Sequence, residues 1–155
     1  MLADDLVFNM IPLEQILSNE YHLRCDKASN GCEFLQMYLE NMQKTCCNVR
    51  YRILLTDINM PQMDGVEASE QIFAEQKRLR AINPSLPEVM IVAITAHETK
   101  QMIMKCSQVG IKDCLFKPVQ PHQLKFVIDY HNNQEKLMQI EEEVPEQLAE
   151  PANKV

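Results

Sequence analysis

Three short, nearly continuous apolar runs constrain the fold of this chain more than any other feature. They span 52–56 (Arg-Ile-Leu-Leu-Thr), 89–94 (Val-Met-Ile-Val-Ala-Ile) and 114–116 (Cys-Leu-Phe). Apolar residues at every position, rather than at alternate ones, belong to strands covered on both faces. Between the runs the periodicity is helical. The stretch 65–81 carries Val66, Ile72, Phe73 and Leu79, and 98–109 carries Met102, Ile103, Cys106 and Val109 on one face. Glu98 stands where a first-turn acid would favour the helix dipole. A last helix is expected from Pro121, a favourable first helical residue, with Leu124, Val127, Ile128 and His131 on one face. The front half repeats the theme. A helix is expected over 6–18 (Phe8, Ile11, Leu13, Ile16, Leu17), a weak strand over 21–27, and a helix over 31–42 (Phe34, Leu35, Met37, Tyr38, Leu39). Strand and helix thus alternate five times. That order implies parallel strands with right-handed crossovers, and the expected fold is a flavodoxin-like doubly wound α/β sheet, order 2-1-3-4-5, with helices on both faces.

Gly31, Gly65 and Gly110 precede the second helix, the third helix and the fifth strand, where tight passage or positive φ suits glycine. The first strand can use only residues 1–3 before Asp4, so it is expected to be short for a central strand, as though truncated. One domain is expected over 1–132. Residues 133–155 read as an acidic helical extension and tail (Glu141, Glu142, Glu143, Glu146, Glu150), with Leu137, Ile140 and Val144 continuing the helix toward Pro145 and the last ten residues disordered.

Composition excludes several classes. The net charge of −7 disfavours nucleic acid as a partner. No run of about 18 apolar residues exists to span a membrane, and the start is not a secretory signal. The six cysteines show no Cys-x-x-Cys and no Cys/His ladder, which reads as a reduced cytoplasmic protein with buried thiols. Cys46-Cys47 as a redox pair is the lesser alternative. His22, His97, His122 and His131 share no spacing that would hold a metal. No glycine-rich phosphate loop of the nucleotide-binding kinds is present.

In a doubly wound sheet, ligands bind beyond the carboxyl ends of the strands. The residues expected there are Asp4 and Asp5 after strand one, Asp57 after strand three, Thr95 and Ala96 after strand four, and Lys117 with Pro118 after strand five. Three carboxylates close together repel unless a cation balances them, and Mg²⁺ suits carboxylates with open positions left for water and phosphate oxygens. An aspartate can act as nucleophile and form an aspartyl-phosphate. Lysine and threonine supply a point charge and a hydroxyl for the transferring oxygens.

The run Asp57-Ile58-Asn59-Met60-Pro61-Gln62-Met63-Asp64-Gly65 resembles the D-x-x-M-P-x-M-D-G signature of response-regulator receiver domains, the CheY-like superfamily. Ile94-Thr95-Ala96-His97 is most like the corresponding stretch in receivers of hybrid histidine kinases, and Lys117-Pro118 resembles the step that ends strand five. The resemblance runs from Leu2 to about Asn132. It implies that Asp57 accepts a phosphoryl group from a histidine kinase or histidine-phosphotransfer protein. It also implies that Asp5, Asp57 and the carbonyl of Asn59 ligate Mg²⁺, with Asp4 acting through water. Lys117 would pair with phosphoryl oxygens, Thr95 would bond the phosphate with Ala96 beside it, and Pro118 would follow a cis bond. Met60, Pro61 and Gly65 shape the loop. The implied activity is a switch, not a turnover enzyme, with an output surface on helix four, strand five and helix five through which copies could self-associate. It could be the cytosolic end of a hybrid kinase.

One departure concerns the position three before the lysine. Receivers often carry Tyr or Phe there, and this chain has Cys114, with Phe116 beside Lys117 instead. A phosphorylation-independent pseudo-receiver acting as a protein-binding module is the alternative. Its mark would be loss of an acid or of the lysine, and none is lost. An aspartate-nucleophile phosphatase would need an acid two residues after Asp57, where Asn59 stands.

Overall fold

The computed structural model describes residues 1–44 and 49–143, with side chains described through residue 133. Cys46-Cys47 and residues 144–155, including the expected disordered end, lie outside the described residues. The elements are β1 (Leu2–Ala3), α1 (Val7–Tyr21), β2 (Lys27–Ala28), α2 (Gly31–Gln43), β3 (Ile53–Asp57), α3 (Gly65–Ile82), β4 (Met90–Thr95), α4 (Lys100–Val109), β5 (Asp113–Phe116) and α5 (Pro121–Glu143). All pairings are parallel and the sheet order is β2-β1-β3-β4-β5, the doubly wound arrangement expected from the alternation.

Alternate residues of the strands feed two cores. Ala3, Leu54, Ile91 and Ala93 face α2, α3 and α4, where they meet Phe34, Tyr38, Val66, Ile72 and Cys106. Leu2, Leu55, Val92, Ile94 and Leu115 face α1 and α5, where they meet Met10, Leu13, Leu17, Leu124, Val127 and Ile128. This two-sided burial is why β4 is buried at every position. Each fully buried Leu, Ile or Phe contributes about 1.5–3 kcal/mol from removal of apolar surface from water. Among the described residues, no helix is long and apolar enough to cross a membrane.

Several expectations shift. The second strand is Lys27–Ala28, not 21–27, because α1 runs on to Tyr21 and β1 offers only two residues to pair with. A ladder cannot extend beyond its neighbour. Leu2 pairs with Lys27 and Ala3 with Ala28, and the short β1 is inserted between β2 and β3. The fourth helix begins at Lys100 rather than at Glu98. Thr99 is its N-cap, with Thr99 Oγ1 accepting from the Met102 N–H at 3.2 Å, so Glu98 stands outside the first turn. Of the expected apolar face of α4 only Cys106 is buried, and Ile103 is exposed. In α1, Phe8 and Ile11 are likewise exposed, while Met10, Leu13 and Leu17 form the buried stripe.

Candidate functional site

The carboxyl ends of β1, β3, β4 and β5 meet along one edge of the sheet. The last ladder positions set this convergence: Ala3 lies beside Thr56, Asp57 beside Ile94, and Thr95 beside Phe116. Residues that follow those positions are therefore neighbours. Asp4 and Asp57 are buried, at 3% and 6% exposure, and Asp5 is exposed at the rim. One carboxylate oxygen from each of the three lies within 4.8 Å of the others.

Lys117 reaches into this cluster. Its Nζ donates to Asp4 Oδ2 at 2.7 Å and to Asp57 Oδ2 at 2.6 Å. The Lys117–Pro118 peptide bond is cis. The Lys117 backbone N–H donates to the Thr95 carbonyl at 2.9 Å, which ties the start of the lysine's loop to the end of β4. Burial pushes the Asp57 carboxyl above the usual carboxylate range, against the opposing pull of Lys117. For Lys117 burial works the other way, but its hydrogen bonds to Asp4 and Asp57 outweigh it and the ammonium is held above its ordinary value. Three carboxylates against one ammonium leave two negative charges uncompensated. Hard oxygen donors carrying that charge can hold a divalent cation.

The loop after β3 is shaped by two close backbone approaches. The Gly65 N–H donates to the Ile58 carbonyl at 2.9 Å, and a Cβ at Gly65 would lie 2.0 Å from the Asp57 carbonyl oxygen. Glycine at this position lets α3 start directly against the strand that carries Asp57. Asp64 caps α3, accepting from the Glu67 N–H at 2.7 Å, and its other oxygen lies 3.5 Å from Lys105 Nζ on α4. Met60 is buried beneath the loop, while Pro61 and Asn59 are exposed. The Asn59 N–H donates to Asp57 Oδ1 at 3.4 Å.

Thr95 is 1% exposed and Ala96, the next residue, is exposed. Thr95 Oγ1 accepts from the His97 N–H at 3.1 Å, so the hydroxyl is held by the backbone of the β4–α4 loop. Cys114 lies in β5 opposite Ala93, and its thiol neighbours that of Cys106 on α4. Where an aromatic side chain was expected from the resemblance, a thiol pair thus joins β5 to α4.

Sequence reasoning missed two contributors. Asn9, in the first turns of α1, donates from Nδ2 to Asp4 Oδ1 at 2.9 Å, and the Leu6 N–H donates to the same oxygen at 2.9 Å. These bonds fix the carboxylate that faces Lys117. An amide five residues after an acid is a weak signal, legible only once α1 is known to start at Val7. Gln62 has φ 69°, in a three-residue turn closed by the Met63 N–H on the Pro61 carbonyl at 2.8 Å. A glutamine gives no hint of positive φ.

With this geometry in view, comparison with known proteins is direct. The sequence model of the family described as "Response regulator receiver domain" matches residues 1–129. Over 121 residues the chain is 26% identical to the chemotaxis protein CheY of Thermotoga maritima, covering 78% of this chain and 86% of that protein. It is 36% identical over 78 residues to hybrid signal transduction histidine kinase L of Dictyostelium discoideum, covering 50% of this chain but only 4% of that one. Among solved structures it is similar to a chain in the co-crystal structure of the Saccharomyces cerevisiae histidine phosphotransfer signaling protein Ypd1 and the receiver domain of its downstream response regulator Ssk1. There the TM-score is 0.67 with 27% identity, over 80% of this chain and 81% of that chain. Both stand-alone and hybrid-kinase relatives occur, so the hybrid-kinase likeness is not distinctive. The fold, the converging acids and the match over most of the chain's length agree: the chain belongs to the response regulator receiver family, whose members are phosphoacceptor switches rather than turnover enzymes.

Proposed function

We propose that the chain works in a phosphorelay by accepting a phosphoryl group on Asp57 from a phosphohistidine donor, a histidine kinase or a histidine-phosphotransfer protein, in the cytoplasm. The observation that carries this reading is the Lys117 ammonium bridging Asp4 and Asp57 inside a cluster of three carboxylates. That arrangement sets a nucleophilic oxygen beside a fixed positive charge. Asp57, Asp5 and the Asn59 carbonyl would hold Mg²⁺, with Asp4 acting through water. When bound, Mg²⁺ would neutralise charge on the transferring oxygens.

The chain's own residues do the rest. An Asp57 carboxylate oxygen attacks phosphorus, the P–N bond to the donor imidazole breaks, and its electron pair stays on the imidazole nitrogen. Lys117 shifts from its carboxylate partners toward the phosphoryl oxygens. Asn9 and the Leu6 N–H keep Asp4 in place during that shift. The Thr95 hydroxyl exchanges its His97 bond for a phosphoryl oxygen, which releases the β4–α4 loop and alters the surface of α4, β5 and α5. The likeness to the yeast receiver crystallised with a histidine phosphotransfer protein supports a donor of that class.

The test is incubation with Mg²⁺ and acetyl phosphate, followed by prompt intact-mass measurement beside Asp57→Asn and EDTA controls. A phosphate-sized gain that requires both Mg²⁺ and Asp57 supports the reading. No gain from folded protein would replace it with the phosphorylation-independent binding module.

A further inference from the structure

Helix α4 is lightly held to the domain. Of its residues, Lys100 to Val109, only Cys106 is buried. Met102 and Val109 are partly buried and the others are exposed. The one buried anchor is therefore a small thiol rather than a large apolar side chain. A helix with so few buried contacts opens at lower free energy than the strands beneath it.

What that thiol faces is a second thiol. Successive strand residues point to opposite faces of the sheet. Leu115 turns toward α1 and α5, and Cys114 before it turns toward α4, against the core that contains Cys106. Gly110, four residues from each cysteine, turns the chain at φ 104°. Its N–H and that of Ile111 both donate to the Cys106 carbonyl, at 3.2 and 3.0 Å, and the Lys112 N–H donates to the Ile91 carbonyl at 2.9 Å. This fixed return path brings the two thiols side by side. Both are free. The other described cysteines stand apart: Cys25 packs against the opposite core and Cys32 is exposed on α2. As packing, the pair offers little that two aliphatic side chains would not. What sulfur adds is exchange chemistry.

We infer that Cys106 and Cys114 form a thiol–disulfide site, oxidised by a low-molecular-weight disulfide, whose closure locks α4 onto β5. When α4 lifts, the Cys114 thiol, the less buried of the two, loses its proton to solvent and attacks one sulfur of the small disulfide. That S–S bond breaks, one small thiol leaves and a mixed disulfide remains. The Cys106 thiolate then attacks Cys114 Sγ, the mixed S–S bond breaks and the second small thiol leaves. The two cysteines give up two electrons and two protons, and the small disulfide takes up both. With α4 seated, burial holds both thiols above their ordinary values, so reaction waits for the helix to open. Once closed, the short loop excludes the open states. Neither cysteine belongs to the acidic cluster, so the lock stands apart from the phosphoryl chemistry.

The test brings the whole chain to equilibrium with oxidised glutathione, blocks the remaining free thiols and reads peptides by mass. Trypsin cuts after Lys105, Lys112 and Lys125 but not between Lys117 and Pro118, so the two cysteines fall in separate peptides, 106–112 and 113–125. The expected result is these two peptides linked, with the link lost in dithiothreitol and absent from Cys114→Ala. The oxidised chain should unfold at higher urea than the reduced one, and its α4 amides should exchange at least about tenfold more slowly. Cys114→Ala, which carries the same glutathione adducts at the other cysteines, should show neither change. If that variant does not fold, the oxidised and reduced native chains still make the comparison. Glutathione adducts at Cys106 and Cys114 without the linked peptides overturn the site, as does no reaction at either. Linked peptides with unchanged α4 exchange overturn the lock.

Discussion

Lys117 Nζ stands 2.7 Å from Asp4 Oδ2 and 2.6 Å from Asp57 Oδ2, so one ammonium from the loop after β5 ties together the ends of β1 and β3. The two strands are neighbours in the sheet, while β5 is separated from β3 by β4. The contact therefore braces three strands at the edge where the chemistry is proposed, and stability and reactivity are linked through it.

Replacing Lys117 with Met should show both effects. Removing one partner from a fully buried ion pair costs about 3–5 kcal/mol, because the remaining charge is stranded. Here the lysine is partly exposed and water screens the loss, so about 1–2 kcal/mol is expected in urea unfolding. Phosphorylation by acetyl phosphate should slow about a hundredfold, the scale for losing one charge-stabilising donor. A variant that is phosphorylated at the native rate would remove Lys117 from the proposed mechanism.

The Asp57 carboxyl is held above its ordinary range by burial. With the folded pKa above the unfolded one, ionisation opposes folding once pH rises past the folded value, and this penalty disappears below the unfolded pKa of about 3.9. Asp57→Asn should therefore melt higher than the native chain in EDTA at neutral pH, and the gain should shrink as pH falls toward about 4. Mg²⁺ should reverse the order by stabilising the native chain, by about 2.7 kcal/mol at a hundredfold excess over Kd. Thermal melts across pH, with and without Mg²⁺, check both parts. An equal Mg²⁺ shift in both proteins would place the ion elsewhere.

Gly65→Ala should be among the most damaging single-methyl additions in the chain. The new Cβ would sit 2.0 Å from the Asp57 carbonyl oxygen and 2.8 Å from Thr56 Oγ1, so α3 must move away from the acid it helps to position. A loss of about 3 kcal/mol is expected. Gly110→Ala is the comparison. Its added methyl meets only the Phe73 ring at 3.6 Å, but φ is +104°, and about 1 kcal/mol is expected from that backbone alone. Denaturant midpoints should rank the two in that order.

Thiol reactivity should sort by environment. Cys32 is exposed on α2, whereas Cys106 is buried. Burial, together with the neighbouring Cys106, pushes the Cys114 thiol up to about 12, which leaves almost no thiolate at neutral pH. In timed iodoacetamide labelling of the native chain, read by peptide mass, Cys32 should modify well before Cys106 and Cys114. Early labelling of Cys114 would show that α4 leaves β5 readily. In denaturant the difference should vanish.

Much of this protein was legible before its structure. Unbroken apolar runs mark strands such as β4, and helical spacing marks α3 and α5, because a side chain's periodicity depends only on its own segment. The strand ends followed, and with them the gathering of Asp4, Asp57, Thr95 and Lys117 on one edge. Most of what failed depended on a distant neighbour. Tyr21 joined α1, and β2 shrank to Lys27–Ala28 because its length is set by β1. One miss was local: Glu98 fell outside α4 because Thr99, three residues before the Met102 N–H that it accepts from, is the cap.

The sequence by itself determined the order of the elements, the doubly wound sheet and the residues available at its carboxyl edge, since these follow from local pattern and the short list of ways to pack it. Only the tertiary structure decided how those residues are engaged. It alone shows that Lys117 bridges two particular acids, that Asn9 holds one of them and that Thr95 is held by His97. It alone shows that Phe126 and Tyr130 remain uncovered while Leu124 does not. The Lys117 bridge and the burial pattern are relations between segments far apart in the chain, which take values only when the sheet brings those segments together, and the short-range bonds of Asn9 and Thr95 depend on the backbone path that the fold gives each loop.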